Sequence, residues 1–315
     1  WQGEKIQTYL EDLIAKTHAS ESINLYLDSQ VNSFTGSMGN FVTTIKTNET
    51  GKQATIEHGA AILATGGMEY KPTEYIYGKH PDVLTHLDMD AALREGDPRL
   101  KKARAIVFIQ CVESRNNENP YCSKVCCTHS LKTAIALKTL DRRKRVYVVY
   151  RDIRSYGFRE DLYKQARESG VLFIRYDLEK MPTLRKNSNK ELELSVIDHV
   201  LQMPVTINPD LVVLASGIVP GDNKNLFEKF KVPTNAEGFL VEAHAKLRPV
   251  DFASDGLFVA GLAHYPKPVE ESISQARAAV ARAMTILSRD SLMVGGVVAE
   301  VTPEKCAVCL TCVLT

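Results

Sequence analysis

Outside two short stretches the chain has no cysteine: Cys111, Cys122, Cys126 and Cys127 lie in its middle, and Cys306, Cys309 and Cys312 at its end. That clustering excludes a secreted disulfide framework, whose cysteines are more frequent and spread along the chain, and argues against cysteine used as a scattered core hydrophobe. An excess of either charge is also missing. With 39 Lys and Arg against 38 Asp and Glu the formal net charge is +1, and nothing in this balance calls for nucleic acid. Long apolar runs are absent. Stretches such as Leu292 to Val298 fall far short of the roughly 20 residues of a membrane span, so a soluble chain without direct membrane insertion is expected. No targeting segment precedes the opening amphipathic helix, which carries Ile6, Tyr9, Leu10, Leu13 and Ile14 on one face; with unpaired cysteines this points to the reducing cytoplasm. Internal repeats and low-complexity tracts are lacking too.

What the chain does have is a series of apolar runs, most ending in small residues: Ala60 to Gly67, Ala105 to Cys111, Val146 to Tyr150, Leu211 to Gly217 and Gly256 to Gly261. Near-continuous runs of this length suit strands buried on both faces. Helices expected at Ser130 to Leu140, Glu160 to Ser169 and Glu270 to Leu287 supply crossovers, so the fold class is α/β with two Rossmann-like halves. Antiparallel hairpins are expected at Asn40 to Glu57, around Glu49-Thr50-Gly51, and at Glu191 to Asn208.

The terminal C-x2-C-x2-C matches the first three ligands of the bacterial ferredoxin run, and its fourth cysteine would lie beyond Thr315. Since the chain also opens with Trp1 rather than Met, a piece of a longer protein is expected, ending just inside a ferredoxin module at residues 299–315. In the middle knot, four soft ligands converging on one point can hold a [4Fe-4S] cluster. A four-cysteine zinc site or inert buried thiols remain alternatives. Adjacent Cys126 and Cys127 suit neither well, because neighbouring side chains diverge and common zinc sites use C-x2-4-C pairs. A redox-active disulfide would leave two of the four cysteines idle.

Ala64-Thr65-Gly66-Gly67, Ala215-Ser216-Gly217 and Gly256 to Gly261 before a long helix resemble the glycine-marked strand ends of thioredoxin-reductase-like flavoproteins. In that fold a second domain is inserted into the FAD domain, here about residues 76–236 between FAD-domain parts at 1–75 and 237–298. More specifically, Gln110-Cys111-Val112-Glu113-Ser114-Arg115, the C-x10-C-x3-C-C arrangement, Val259 to His264 with Pro266-Lys267, and the ferredoxin start resemble the heterodisulfide reductase A subunits and their relatives. Among those relatives are subunits of the quinone-interacting membrane-bound oxidoreductase complex. A related nicotinamide enzyme would have G-x-G-x-x-G after the strand Ile106 to Gln110, cradling a pyrophosphate at a helix N-terminus. The glycine-free Cys111 to Arg115 stands there instead, and Glu113 brings negative charge where a diphosphate would sit. The nicotinamide site is therefore expected to be lost.

The resemblance implies electron transfer between FAD and [4Fe-4S] clusters, with sister iron-sulfur subunits and a hydrogenase or ferredoxin as partners. It places Val31 against adenine, and Thr65, Gly66, Gly67, Gly261, Leu262 and Ala263 along the flavin cofactor, with Lys267 and Ser272 flanking the start of the helix after Pro268. It places Lys132 near the flavin N5, where its charge would favour reduced flavin. Leu262 stands where many flavoproteins of the wider group carry an acid, and residues 1–60 lack the G-x-G-x-x-G that would open the FAD domain, so the βαβ unit preceding them is expected to be missing. The incomplete sheet edge also allows a homodimer. Two other classes stay open: an NADPH-dependent disulfide reductase using Cys122, Cys126 and Cys127, and a zinc-stabilised interaction module. His129 and His264 read as hydrogen-bonded loop histidines. The run Arg142 to Arg145 reads as solvated cations at a helix end, and Arg151 and Arg154 as residues that would meet an NADP phosphate only if the glycine cradle existed.

Overall fold

The computed structural model describes residues 6–292 and 301–308. The opening helix α1 (Ile6–Ala19) forms as its periodicity predicts, yet none of its residues is buried. Three antiparallel strands follow in spatial order: β1 (Ser29–Ser37), β2 (Asn40–Thr47) and β3 (Gln53–His58). The expected hairpin is β2–β3. Strand β1 is additional; its register against β2 slips between Val31 and Ser33, and such a bulge breaks the alternation by which a strand is read.

The chain then passes through β4 (Ala61–Leu63) and β5 (Gly67–Glu69) into the inserted half. There it forms β6 (Val83–Thr85), α2 (His86–Glu95), α3 (Pro98–Lys102), β7 (Ala105–Val112), α4 (Cys126–Leu140), β8 (Arg145–Tyr150), α5 (Glu160–Glu168) and β9 (Leu172–Arg175). A second antiparallel sheet, β10 (Thr183–Lys186), β11 (Leu192–Ile197) and β12 (Pro204–Ile207), precedes β13 (Leu211–Ser216). The central sheet is parallel throughout, in the order β6-β13-β7-β8-β9. Every residue of β7 and β13 is buried, which explains their uninterrupted apolar runs. One face packs Phe108, Val148 and Val213 against Met89 of α2 and Leu131 and Leu137 of α4. The other packs Val107, Ile109 and Leu214 against Leu184, Leu194 and Ile207 of the β10–β12 sheet.

The return is made by β14 (Ile218–Pro220), which pairs antiparallel with β5, followed by α6 (Lys224–Phe230), β15 (Leu257–Val259) and α7 (Val269–Leu287). Strand β15 lies parallel to β4, joining the two ends of the outer domain. Its core gathers Phe41, Leu63, Phe252, Leu257 and Val259 with Phe227 and Phe230 of α6. Helix α6 therefore packs with the outer domain although it precedes residue 236. Along α7, Ala279 and Ala283 are buried against Val250 and Phe258, as expected of small residues facing a sheet, whereas Ala276 is exposed.

The cationic run after α4 divides. Arg142 and Arg143 are exposed, but Lys144 is buried, its Nζ donating to the carbonyls of Leu100 (2.7 Å) and Ala103 (2.6 Å) at the end of α3. Burial there is tolerated because backbone acceptors surround the ammonium.

Candidate functional site

The buried run of β7 ends in a loop whose backbone is unusual. Cys111, Glu113 and Arg115 take φ of +60°, +48° and +62°, and Lys124 one of +60°. Left-handed conformations on residues with side chains cost about 1–3 kcal/mol each and persist only where the surroundings over-determine them. Arg151 supplies much of that constraint. Its guanidinium donates to the carbonyls of Ser114 (2.6 Å) and Arg115 (2.7 Å), so the arginine that would serve a nucleotide phosphate in a nicotinamide enzyme here holds the cysteine loop. Further on, Ser114 Oγ and Arg115 N both donate to Tyr121 O at 3.0 Å, and Asn116 N donates to Asn119 O at 3.2 Å. The polar segment is thus a closed turn that returns Cys122 towards Cys111.

Cys126 and Cys127 are the first two residues of α4, directly after Lys124 and Val125, so the chain turns where adjacent ligands require it. Burial first, then the charges of Cys127, Cys111 and Cys122, push the Cys126 thiol well above its ordinary value. Burial pushes Cys127 up to about 11, with the Arg154 backbone N–H opposing. The four sulfurs therefore share one electrostatic field. Partial positive charges face them: Lys124 N donates to Cys122 Sγ (3.3 Å), and the start of α4 has no side-chain cap. Among the described residues no three His, Cys, Asp or Glu side chains meet tightly enough to hold a single metal ion. A zinc ion would draw its thiolates to about 2.3 Å from one point, whereas a [4Fe-4S] cluster spreads four thiolates over four irons. Four thiolates as a donor set suit a [4Fe-4S] cluster. At the far end Cys306 is exposed, and Cys309 and Cys312 lie outside the described residues.

The three glycine-marked strand ends differ in what lies over them. A β-carbon on Gly217, after β13, would come within 2.6 Å of the Glu113 carbonyl oxygen: the cysteine loop closes that position. On Gly66 (φ +78°) and Gly261 (φ +72°) it would meet nothing within 4 Å. These two glycines follow the paired strands β4 and β15, tied by Ala260 N donating to Leu63 O at 3.0 Å, at the carboxyl edge of parallel strands where nucleotide cofactors bind. The open glycine pair fits the close approach of an FAD.

Other expected cofactor residues are distributed around this edge. Thr65 is exposed beside Gly66, and a β-carbon on Gly67 would lie 3.4 Å from Leu262 Cβ, so the two glycine loops touch. Ala263 is buried, and its carbonyl accepts from Leu240 N. Lys267 is buried, its Nζ donating to Gly261 O (2.7 Å) and lying 3.3 Å from His264 Nδ1; burial and then the charge of Lys124 bring it down to about 8. His264 is held by Glu242 (2.7 Å), and His129, which lies in the first turn of α4 rather than in a loop, by Asp90 (2.8 Å). Ser272 is half-buried in the first turn of α7. Val31 packs with the Phe41 core, and its carbonyl accepts from Lys229 Nζ (2.7 Å).

The resemblance expects Lys132 near the flavin N5. Lys132 is exposed on α4, whose buried face is formed by Cys126, Ser130, Thr133, Ala134 and Leu137, and the helical period turns it outward. The buried lysine beside the glycine edge is Lys267.

Sequence reading missed the contacts that join the two sites. Tyr121 packs edge-on to Phe239 (5.4 Å) and Tyr265 (5.5 Å), and its hydroxyl donates to Ile218 O (2.8 Å). Lys124 stands 3.9 Å from Glu271 of α7, and Ser123 Oγ accepts from Ile218 N. Only the position of Tyr121 beside Cys122 hinted at this; its partners are far along the chain. The cysteine loop thus rests directly on the Gly261–Pro268 segment.

No family model matches the chain. Among curated proteins it is 35% identical over 274 residues to an iron-sulfur A subunit of the CoB–CoM heterodisulfide reductase of Methanopyrus kandleri, covering 82% of this chain and 42% of that protein. It is 33% identical over 286 residues to the A subunit of the H2:CoB-CoM heterodisulfide, ferredoxin reductase of Methanothermobacter thermautotrophicus, covering 85% and 43%. The chain is a homologue of heterodisulfide reductase A subunits. It spans about two fifths of the length of these relatives. In fold it is similar to the thioredoxin reductase of T. acidophilum (TM-score 0.55, 15% identity, 89% of this chain and 79% of that one). A NAD-dependent persulfide reductase from A. fulgidus is similar to the same degree (TM-score 0.55, 16% identity, 89% and 48%). The architecture is therefore that of the two-domain, thioredoxin-reductase-like flavoproteins.

Proposed function

We propose that this chain is the central part of an electron-transferring flavin and iron-sulfur oxidoreductase subunit of the heterodisulfide reductase A type. FAD would lie along Gly66 and Gly261, and a [4Fe-4S] cluster would be held by Cys111, Cys122, Cys126 and Cys127. The observation that carries this reading is the closure of Gly217 by the cysteine loop while Gly66 and Gly261 stay open. One nucleotide crevice is filled with sulfur ligands and the other retains its glycine cradle, which disfavours an NADPH-dependent disulfide reductase.

Bound together, the two groups would supply exchange between an electron pair and single electrons. The chain's own residues set the conditions for it. Tyr121 and Tyr265 pack edge-on between the two sites, Lys267 and Gln275 fix the Gly261 loop through its carbonyl and N–H, and the start of α4 turns its positive end to the sulfurs. Residues 76–236 would form most of the inserted unit within FAD-domain parts 1–75 and 237–298, with a ferredoxin module begun at Cys306, Cys309 and Cys312. Work in the cytoplasm is part of the same reading, with sister iron-sulfur subunits and a ferredoxin or hydrogenase as donor; disulfide chemistry would occur on those partners.

Anaerobic reconstitution of the chain with FAD, iron and sulfide tests this. The expected product is a coloured protein with four irons and four sulfides per chain at the middle knot, lost in Cys122→Ala. One zinc per chain and no bound iron would overturn it.

A further inference from the structure

Arg115 occupies an unusual place in the cysteine loop. It lies four residues after Cys111 in a left-handed conformation, with its side chain mostly buried. One guanidinium nitrogen stands 3.9 Å from Cys111 Sγ, and the same nitrogen and its neighbour clamp both oxygens of Asp152, Nη2 to Oδ2 at 3.0 Å. Asp152 belongs to the loop after β8, and its backbone carbonyl lies 4.0 Å from Cys127 Sγ. A fixed cation and a fixed anion therefore sit side by side at the edge of the sulfur nest, the cation towards Cys111. A guanidinium and a carboxylate paired through two nitrogens and two oxygens each favour the charged form of the other.

We propose that Arg115 is a positioning residue which, oriented by Asp152, sets the reduction potential of the cluster held by the middle cysteines. This rests on the cluster reading of that knot. When the cluster takes up one electron from a reductant, its charge becomes more negative by one and no bond to the protein is made or broken. A cation held beside a ligand sulfur in a site largely closed to water stabilises the reduced form and raises the potential. Asp152 acts in the opposite sense through its own charge while fixing the guanidinium geometry. Arginine suits the role because its planar fork binds a carboxylate with two nitrogens and stays charged at any working pH.

The test is a mediator titration of the reconstituted 315-residue chain with dithionite, followed by electron paramagnetic resonance, with iron and sulfide counted on every sample. In Arg115→Leu the reduced-to-oxidised ratio at a fixed potential should fall about tenfold, a downward shift of ~59 mV for one electron. Asp152→Asn should shift upward, and Arg115→Lys should stay closer to the parent than Arg115→Leu. A residue that merely braces the loop would lower stability and cluster loading without moving the potential, and could not give opposite signs for the two variants. Unchanged potentials at full iron content, or shifts of the same sign, overturn the proposal. Should Arg115→Leu not retain iron, an unchanged potential in Asp152→Asn overturns it alone. A parent protein that binds FAD but neither iron nor sulfide overturns the cluster reading, and this proposal with it.

Discussion

Gly261 and Gly96 share a left-handed backbone, φ +72° and +69°, and a β-carbon on either would meet nothing within 4 Å. Gly96 ends α2, whereas Gly261 lies just after β15, on the edge proposed for FAD. Alanine at either position should cost about 1–2 kcal/mol from the left-handed conformation, measurable by denaturant unfolding. Only Gly261→Ala should also weaken FAD binding, roughly tenfold or more, in a fluorescence titration; equal affinities would remove the cofactor from that edge. A second single-residue prediction concerns His86, which is buried, its Nε2 2.8 Å from Ser130 Oγ and its ring 4.3 Å from that of His129 and tilted by 32°. Burial, then the charge of His129, keeps His86 neutral well below its ordinary value of 6.5. The unfolded chain therefore binds the extra proton first, and stability should fall as pH drops below about 6.5. His86→Gln should flatten that limb of a stability-versus-pH curve measured by chemical denaturation.

Helix α2 begins with a reciprocal cap: Thr85 Oγ1 accepts from Asp88 N, and the Asp88 carboxylate accepts from Thr85 N at 2.9 Å. Thr85→Ala should cost about 1 kcal/mol or more, since Thr85 Oγ1 also donates to Glu69 (2.9 Å) across the hinge strand β5. Asp88 is held below its ordinary value by the Thr85 backbone and the Tyr77 hydroxyl, which outweigh its burial. A depressed carboxyl stabilises the fold above the unfolded pKa and loses that contribution as pH falls through the folded one. Acid unfolding of Asp88→Asn should therefore depend less on pH below about 4 than that of the parent. The cap was legible in principle, a threonine three residues before an acid. Strands β7, β8 and β13 and helices α5 and α7 were read directly, because burial on both faces or a 3.6-residue period leaves a local mark. Strands β1 and β10 were not: one is bulged and the other short, exposed at all but Leu184 and dependent on its neighbour for recognition.

At the scale of the molecule, the aromatic contact of Tyr121 with Phe239 and Tyr265 is where the inserted half meets the segment after Gly261. Tyr121→Ala should cost about 3 kcal/mol, as for other buried aromatic truncations, and Tyr121→Phe about 1 kcal/mol for the lost bond to Ile218 O. Equilibrium unfolding would show both. The exposed tie between the halves, Tyr156 to Glu271, should contribute little by comparison.

The order of apolar runs and glycines by itself determined the α/β class, and the order of glycines and cysteines marked the edge and the ligand set proposed for FAD and a cluster, because each is written in neighbouring residues. Only the tertiary structure decided that the cysteine loop closes over Gly217, that Arg151 grips it from 36 residues away, and that Tyr121 reaches Ile218 across 97. It also turned Lys132 to solvent and buried Lys144. Such placements depend on which distant backbone carbonyls and side chains meet once the parallel sheet has formed, and no local period or spacing encodes them.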